Sequence, residues 1–324
     1  MSARGRSSGP GSSGPRVVAL GGGHGLAATL RALRRVTDDV TAVVAVSDDG
    51  GSSGRLRQEF DVVPPGDLRM ALAALCGDDT WGRTWSRVVQ HRFAGSGELA
   101  GHSLGNLLIT ALWEETGDIV TGLDWVAALL GAHGRVLPVA TVPLQVVAEV
   151  RGLHPEDPSV VERVEGQVEV ATTPGEVVSL HLEPADAPAC PEAVEAIHEA
   201  DAIVLGPGSW FTSVLAPLQV TGIGQAVTEA RGRVVVVLNL AEQPGETDGF
   251  SPQRHLEVLA AQCPGLRVDV VLADPERVSD IPALASAAQH LGGRLVLAPV
   301  ASRDGSARHD ADLLASALGG ALTA

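Results

Sequence analysis

Four short apolar runs in this sequence each end at a polar loop rich in glycine. The loops span residues 21–25, 48–54, 206–213 and 239–249, and the run before each has the length and composition of a buried β-strand. Segments with helical periodicity lie between them, a rhythm that predicts an α/β fold with a mostly parallel sheet. Because the carboxyl ends of parallel strands lie on one edge of a sheet, we expect the four loops to line one crevice.

The first loop has the composition of a turn that binds phosphate. A strand over 16–20 leads into Gly21, Gly22, Gly23, His24 and Gly25, and a helical pattern follows. This order places a helix N-terminus and its N–H groups against an anion. Residues 23–28 also fit GxGxxA, and Asp48 follows the next strand, where a dinucleotide-binding fold has its ribose-binding acid. A tight turn without a ligand is the alternative for such a short motif.

The second loop lies in the stretch VVAVSDDGGSSGRLR, residues 43–57, which combines acids, hydroxyl groups and arginines. Carboxylates can bind a metal or a sugar hydroxyl, N–H and hydroxyl groups can bind an anion, and a guanidinium group can bind phosphate. The residues predicted to bind ligand are Asp48, Asp49, Gly50, Gly51, Ser52, Ser53 and Arg55. The alternative is a flexible surface turn with a solvated acidic pair.

Two later loops complete the predicted crevice. A Gly-Pro-Gly-Ser turn after the strand over 202–205 leads into hydroxyl residues that open a helix, a second candidate for anion binding. A polar loop follows the strand over 234–240. The residues predicted to bind ligand here are Gly206, Pro207, Gly208, Ser209, Thr212, Ser213, Asn239, Gln243, Glu246, Thr247 and Asp248. One such loop is weak evidence, whereas four together favour a phosphorylated ligand.

Polar residues also stand at two predicted helix starts. The turn PPGDLR, residues 64–69, precedes a helix, and Asp67 is predicted to cap its N-terminus. The motif GHSLGN, residues 101–106, runs into another helix, with Ser103 as the candidate N-cap. His102 and Asn106 lie four residues apart and can share one helix face. They are either a polar pair aimed at a ligand or part of a capped helix start with a buried asparagine.

Residues 135–184 differ from the rest of the chain in their sequence pattern. Four β-rich runs, VLPVATV, LQVVAEV, QVEVA and VVSLHLEP, are separated by Gly, Pro and acidic residues. They predict a β-rich insertion within a single α/β domain that spans 16–324. Residues 1–15 are rich in Gly, Ser and Pro and lack an apolar segment, so we expect a disordered tail and not a secretory signal.

Composition excludes several classes of protein. The formal net charge of −16 argues against broad binding to nucleic acid or to anionic membranes, and no apolar run has the roughly 18 residues of a membrane span. All 23 basic residues are arginine, so the lysine that P-loop NTPases, pyridoxal enzymes and kinases need is missing. Three scattered cysteines without a CxxC pair argue against a zinc ribbon or a disulfide framework and predict a cytoplasmic protein.

The chain contains six motifs in one order: GGGHG, SDDGGSSGRLR, PPGDLR, GELAGHSLGN, GPGSWFTS and NLAEQPGETDGFS. Their sequences and their order resemble those of the bacterial YvcK-like family of gluconeogenesis factors. That family is similar to 2-phospho-L-lactate transferase, the CofD enzyme of coenzyme F420 biosynthesis. The resemblance covers almost the whole chain after the tail and implies a Rossmann-like three-layer α/β fold. It also implies binding of a nucleotide-sugar such as UDP-N-acetylglucosamine, and a role in cell shape and envelope synthesis during gluconeogenic growth.

The resemblance further implies roles for individual residues. The loops 21–25 and 206–213 would bind the nucleotide and its diphosphate. Asp48 and Asp49 would lie at the metal and the acceptor, and they are the catalytic candidates if the protein is an enzyme. The remaining wall would consist of Asn106, Asn239 and the loop 243–249.

Three residues depart from the pattern of the family. His24, Phe211 and Glu242 stand where relatives usually have threonine, tyrosine and threonine. The first two changes remove hydroxyl groups beside the predicted phosphate site. They leave the choice of ligand open without affecting the expected fold.

Three functions are compatible with these features. The first is a regulatory protein that binds a UDP-sugar and acts through partner proteins, with a homo-oligomer as one possibility. The second is a Mg²⁺-dependent transferase of a phospho-acyl group, which needs room for a large flat acceptor, yet Trp210 and Phe211 are the only aromatic pair beside a loop. The third is an NAD-dependent dehydrogenase, but tyrosine and lysine are unavailable as proton donors and the two later loops stay unexplained. We therefore favour the binding role, with the transferase as the alternative.

Overall fold

The computed structural model describes residues 14–323, and residues 1–13 of the predicted tail lie outside this range. The strands are β1 (Val17–Gly21), β2 (Val40–Val44), β3 (Arg135–Pro138), β4 (Gln145–Arg151), β5 (Val161–Glu165), β6 (Glu176–Glu183), β7 (Ala202–Leu205), β8 (Arg233–Val237), β9 (Val270–Ala273) and β10 (Arg294–Leu297). The helices are α1 (Gly23–Leu33), α2 (Gly51–Phe60), α3 (Gly66–Leu75), α4 (Thr80–Gln90), α5 (Leu104–Thr116), α6 (Ile119–Leu130), α7 (Gln167–Ala171), α8 (Pro191–Glu199), α9 (Ala216–Gln219), α10 (Thr221–Glu229), α11 (Pro252–Gln262), α12 (Ile281–His290) and α13 (Ala311–Thr323). A π-helical turn, Trp210–Leu215, precedes α9, and a 3₁₀ turn, Pro275–Arg277, follows β9.

Seven strands form one sheet in the order β10-β9-β8-β7-β1-β2-β3, and every pairing in it is parallel. The central strands β1 and β7 are buried along their whole length. Strands covered on both faces read as continuous apolar runs, which is why they were recognisable in the sequence. The predicted α/β fold with a mostly parallel sheet is confirmed.

The strand order reverses between β1 and β7. From β1 the chain moves outward through β2 to β3, and from β7 it moves the other way through β8 and β9 to β10. In open α/β sheets, ligands bind in the crevice at the carboxyl ends of the strands where the order reverses. The loops 21–25 and 206–213 follow β1 and β7 directly, and the loops 48–54 and 239–249 follow the neighbouring strands β2 and β8.

The β-rich stretch over 135–184 is divided between two sheets. β3 pairs with β2 at the edge of the main sheet, whereas β5, β4 and β6 form a separate antiparallel sheet in that order. The run QVEVA, interpreted as β-rich, is instead helix α7. The carboxylate of Asp49 accepts hydrogen bonds from the backbone N–H groups of Gln167 (2.8 Å) and Val168 (3.2 Å), and so caps a helix where the local pattern indicated a strand.

The core consists mainly of aliphatic side chains, and its largest fully buried members are Trp210 and Phe211. Both lie in the π-helical turn after β7, beneath the crevice. The aromatic pair is therefore inside the protein and does not offer a surface on which a flat ligand could stack. Within residues 14–323, no helix has both the length and the apolar composition to cross a membrane.

Candidate functional site

The glycine loop after β1 opens the N-terminus of α1 at the point where the strand order reverses. Gly22 occupies the N-cap position of α1 and supplies no side-chain cap to the first turn, and His24 in that turn is exposed. Gly25 lies against the loop after β7, where an added Cβ would be 2.1 Å from the carbonyl oxygen of Pro207. Glycine is thus required at this position, and it lets the two loops meet over the end of the sheet.

Asp67 is packed against this glycine loop and does not cap its own helix. α3 begins at Gly66 with Pro65 as its N-cap residue, and the Asp67 side chain makes no capping hydrogen bond there, so the predicted capping role is wrong. Instead its Oδ2 would lie 2.5 Å from a Cβ added at Gly22, and the backbone N–H of Gly23 is close enough to act on the pKa of the carboxyl group. Burial, and then the neighbouring Asp48, raise the pKa of Asp67 to about 7.

Asp48 stands beside Asp67 at the end of β2. Its Oδ1 accepts from the N–H of Gly50 at 3.0 Å, and its Oδ2 would lie 2.4 Å from a Cβ added at Gly66, at the start of α3. The buried guanidinium group of Arg69 is close enough to interact with both carboxylates, and burial lowers its pKa to about 10. Two carboxyl groups therefore share one buried cation, and net negative charge that could attract a second cation arises when Asp67 loses its proton, at a pH of about 7 and above.

Asp49 serves a different part of the fold from its neighbour Asp48. Both of its carboxylate oxygens accept hydrogen bonds from the first N–H groups of α7. This contact joins the acidic loop to the unit that contains the small antiparallel sheet. The acid that the structure places beside Asp48 is thus Asp67, although the sequence pattern pointed to Asp49.

A buried hydrogen-bond network supports the acidic loop from below. The hydroxyl of Ser52 lies 3.0 Å from Nδ1 of His102 and accepts from Nδ2 of Asn106 at 3.1 Å. Oδ1 of Asn106 accepts from Nε of Arg69 at 2.8 Å, and its Nδ2 also approaches the hydroxyl of Ser53 at 3.4 Å. Burial lowers the pKa of His102, so its ring stays neutral. Of the two interpretations of His102 and Asn106, the structure has the buried pair at a helix start.

Two more of the predicted polar residues bond to neighbouring loops. Arg55 donates to the carbonyl oxygens of Glu98 (3.1 Å) and Ala100 (2.8 Å) and so braces the loop before α5. Ser103 occupies the N-cap position of α5, but its hydroxyl donates to the carbonyl oxygen of Val89 at 2.9 Å and makes no capping bond. The position predicted for Ser103 is right and the predicted contact is wrong.

The turn after β7 is held in shape by side chains from the loop after β8. Oδ1 of Asn239 accepts from the N–H of Gly208 at 3.0 Å, and its Nδ2 donates to the carbonyl oxygen of Gly208 at 2.8 Å. Oε1 of Gln243 accepts from Nδ2 of Asn239 at 3.1 Å and from the N–H of Trp210 at 3.0 Å. Both amide side chains are therefore used to fix the shape of this turn.

Glu246 fills the helix N-terminus that was the second candidate for anion binding. Its side chain is buried, with Oε2 accepting from the N–H of Phe211 at 3.1 Å and Oε1 accepting from the hydroxyl of Thr212 at 2.6 Å. Burial raises the pKa of Glu246, and these hydrogen bonds act in the opposite direction. The protein thus supplies its own carboxylate where a phosphate was expected.

The remainder of the loop after β8 is closed by bonds within itself. The bonds run from Gln243 N to Thr247 Oγ1 (2.8 Å), from Gly245 N to Asp248 Oδ2 (2.8 Å) and from Gly249 N to Glu242 Oε2 (2.9 Å). Thr247 is also fully buried. This loop forms a rigid wall, and Glu242 is one of the residues that hold it.

The predicted residues divide into two groups. Those around the open N-terminus of α1 include His24, Gly25, Asp48 and Gly208, whereas most of the other polar residues brace the loops. Asp67 and Arg69 lie in the candidate site but were not predicted from the sequence to belong to it. The available signal was the motif PPGDLR itself, a rigid turn that leads into a helix at the same edge of the sheet as the loops.

The acidic pair fits one type of metal site. In the part of the chain that the structure describes, no group of three or more His, Cys, Asp and Glu side chains could hold a metal ion. Mg²⁺, however, is commonly bound by one or two carboxylates together with waters and substrate phosphates. Asp48 and Asp67 would be the two carboxylates of such a site, and the phosphate of a ligand at the α1 N-terminus would complete the set.

Comparison with known proteins identifies the family. The sequence profile described as 2-phospho-L-lactate transferase CofD matches residues 17–293, which include every loop of the crevice. The chain belongs to the CofD family.

Members of the CofD family with similar sequences carry a common name. A Mycobacterium tuberculosis protein named "Putative gluconeogenesis factor" is 52% identical over 307 residues, which cover 94% of this chain and 89% of the relative. The "Gluconeogenesis factor" of Listeria monocytogenes is 36% identical over 318 residues, 94% of each chain. A crystal structure of a UPF0052 family member from Bacillus halodurans aligns with a TM-score of 0.84 at 33% identity, covering 95% of this chain and 99% of that one. The resemblance to gluconeogenesis factors and the predicted fold class are both confirmed.

Proposed function

We propose that this CofD-family protein binds a nucleoside diphosphate ligand, a UDP-sugar of the UDP-N-acetylglucosamine type, and acts as a regulatory protein. The observation that carries this proposal is the N-terminus of α1 at the reversal of strand order, which has no side-chain cap from Gly22 and lies directly beside Asp48 and Asp67, the latter facing the first N–H group of the helix, that of Gly23. A helix N-terminus attracts anions, and a carboxylate pair attracts a cation that neutralises them. Together they suit a diphosphate with its counter-ion.

The seat for the diphosphate is the first turn of α1. This end of the helix carries partial positive charge and has no capping side chain from Gly22. Gly22, Gly23 and Gly25 add no side chains to this turn, so phosphate oxygens can approach its backbone N–H groups. The neighbouring helix N-terminus is filled by Glu246, which restricts the diphosphate to the α1 side of the crevice.

Mg²⁺ is the cation that Asp48 and Asp67 would hold. When bound it would neutralise charge on the diphosphate. Because Asp67 has its pKa raised to about 7, it has to lose a proton when a cation binds. We therefore expect Mg²⁺-dependent binding to strengthen as the pH rises through about 7.

A regulatory role is supported by the names of the relatives and by the chemistry of the chain. Proteins named gluconeogenesis factor suggest action during growth on gluconeogenic carbon, and we propose that the ligand-bound form controls cell shape and envelope synthesis through partner proteins. Burial raises the pKa of Cys76, Cys190 and Cys263, which disfavours their reactive thiolate forms, and we place the protein in the cytoplasm. The net charge of −16 disfavours nucleic acid as the partner.

The alternative is transfer of a phospho-acyl group from a nucleoside diphosphate donor, as the family description suggests. In that case Asp48 would be the catalytic candidate, since Asp49 is engaged in capping α7. A transferase of this kind also needs a surface for a flat acceptor. Trp210 and Phe211 are buried and do not provide one, an observation that favours binding over transfer.

The experiment is a calorimetric titration of UDP-N-acetylglucosamine, GDP and NAD, each with and without Mg²⁺. We expect selective binding of the uridine ligand without turnover. Asp48→Asn should weaken binding by about tenfold or more in the presence of Mg²⁺, while its melting temperature stays close to that of the wild type. Asp49→Asn is the matched control, because its carboxylate lies one residue away and faces α7.

Each other outcome assigns a different function. If Asp48→Asn bound the ligand with the same affinity as the wild type, both with and without Mg²⁺, the proposed site would be misplaced. Magnesium-dependent preference for GDP, together with product formation, would favour the transferase. Binding of NAD alone would restore the dehydrogenase hypothesis.

A further inference from the structure

A cavity of about 310 Å³ lies where α1, α3 and α4 meet, and arginines line much of it. They are Arg31, Arg34, Arg35, Arg83 and Arg87. The first three lie at the C-terminal end of α1, whereas the proposed diphosphate seat lies at its N-terminus, roughly 16 Å away along a helix of 11 residues. The cavity is therefore separate from the crevice. In a protein with a formal net charge of −16, five arginines around one cavity are a local reversal of charge.

Three of these arginines have partners within the protein. Arg34 donates to carbonyl oxygens at the end of α3 and forms an ion pair with Asp78 at 2.9 Å. Arg35 forms an ion pair with Asp312 at 2.7 Å. Arg83 donates to the carbonyl oxygen of Asp78. Arg34 thereby satisfies backbone acceptors that the last turn of a helix leaves unpaired, so the fold itself accounts for its position.

Arg31 and Arg87 have no partner of this kind. Both are exposed, and within residues 14–323 neither makes a hydrogen bond or an ion pair. Burial, then Arg34 and then Arg35 lower the pKa of Arg31, and no carboxylate acts in the opposite direction. Like charges held together without an anion between them repel one another, and a bound anion would remove this repulsion.

The cavity as a whole is positively charged. Asp78 is the one acid among the described residues that line it, and Asp312 lies beside Arg35. Two carboxylates near five guanidinium groups leave a net positive charge. A concave surface lined by one sign of charge concentrates the electric field and attracts ions of the opposite sign. Guanidinium groups match both phosphate and carboxylate groups in geometry, so the cavity suits an anion of either kind.

We propose that this cavity binds a small metabolite with two or more anionic groups, and that Arg31 and Arg87 are the guanidinium groups free to bind it. The volume of the cavity is at the lower end of the range for small-molecule sites, which suits a metabolite better than a protein segment. Two sources share this chemistry: a compound with two phosphate groups and a polycarboxylate. The site is a second one, and it does not depend on the proposed UDP-sugar site.

The test is a calorimetric titration of the full chain with pyrophosphate and with citrate, at low ionic strength and with EDTA to remove Mg²⁺. Arg31→Gln and Arg87→Gln should each weaken binding by about tenfold, since each removes a charged hydrogen-bond donor. Arg231→Gln is the matched control, because it removes the same charge at an exposed position outside the cavity and should bind like the wild type. Without an anion, neither Arg31→Gln nor Arg87→Gln should melt below the wild type, because neither arginine has a partner to lose.

The two anions identify the ligand. Binding of pyrophosphate alone would indicate a phosphorylated metabolite, and binding of citrate alone a polycarboxylate; either result, or binding of both, supports the proposal if the two variants lose affinity and the control does not. Unchanged affinity in the variant that combines both substitutions would place the anion elsewhere, and an equal loss in Arg231→Gln would mean that net charge alone is responsible. Both outcomes would overturn the proposal, as would a wild type that bound neither anion. The same variants should bind UDP-N-acetylglucosamine with Mg²⁺ like the wild type, so a failure here leaves the proposed function intact.

Discussion

Substituting Asp67 by Asn tests how the crevice balances stability against binding. The unfolded chain loses the proton of this carboxyl near its ordinary pKa of 3.8, whereas the folded protein retains it up to about 7. Between these values the folded state binds a proton that the unfolded state has lost. The free energy of unfolding therefore falls as the pH rises through this window, and it levels off above about 7.

The size of this effect follows from the shift. A change in pKa from 3.8 to about 7 corresponds to roughly 4 kcal/mol between the two ends of the window. Asn resembles the protonated acid and does not titrate, so the variant should lack this decline. From about pH 5 to about pH 8, we expect the variant to gain about 3 kcal/mol of unfolding free energy relative to the wild type.

The assay is urea denaturation of both proteins at these two pH values, first with EDTA and then with excess Mg²⁺. The Mg²⁺ should stabilise the wild type at the higher pH and stabilise Asp67→Asn less, because the variant retains only the carboxylate of Asp48. Asp186→Asn, at an exposed position, is the control and should show no pH-dependent difference. An Asp67→Asn difference that was equal at both pH values would refute the argument, since it would mean that Asp67 ionises normally.

Three further predictions concern the loops around the crevice. Replacing Glu246 by Ala leaves a buried N–H and a buried hydroxyl without their acceptor, so urea denaturation should show that the free energy of unfolding falls by about 2–4 kcal/mol. A fall of less than about 1 kcal/mol would contradict the capping role. Gly25→Ala should destabilise the fold or abolish ligand binding in a melting and titration assay, whereas Gly97→Ala, where a Cβ meets nothing within 4 Å, should do neither. Asp49→Ala should lower the free energy of unfolding by about 1 kcal/mol, because α7 loses its cap, and should leave the affinity for Mg²⁺ unchanged. A lower affinity for Mg²⁺ would disprove this expectation.

The main sheet was predictable because buried parallel strands are continuous apolar runs. The strands predicted at 16–20 and 202–205, for example, correspond to β1 and β7 within one residue at either end. The reversal of strand order was not readable from local pattern, since it depends on which strands pair. It became visible only in the parallel pairing of β1 with both β2 and β7.

The roles of the polar residues were harder to predict because their partners are distant in the chain. Glu246 caps a turn that lies 35 residues earlier, and Asp49 caps a helix that begins 118 residues later. A polar loop that binds an anion and one that binds its own carboxylate have the same composition. Sequence reasoning could therefore assign Glu246 and Asp49 to the crevice region, but not decide whether their oxygens were free.

The adjacency of Asp48 and Asp49 has a consequence for how a bound ligand could be sensed. Asp48 belongs to the acidic pair, and its neighbour, one peptide bond away, holds the start of α7. The other side of the crevice is already fixed by internal hydrogen bonds, so it has little freedom to respond. A displacement of Asp48 would therefore be passed through the rigid peptide plane to α7 and the antiparallel sheet. That outlying sheet is where a change in surface shape, readable by another protein, would be expected to arise.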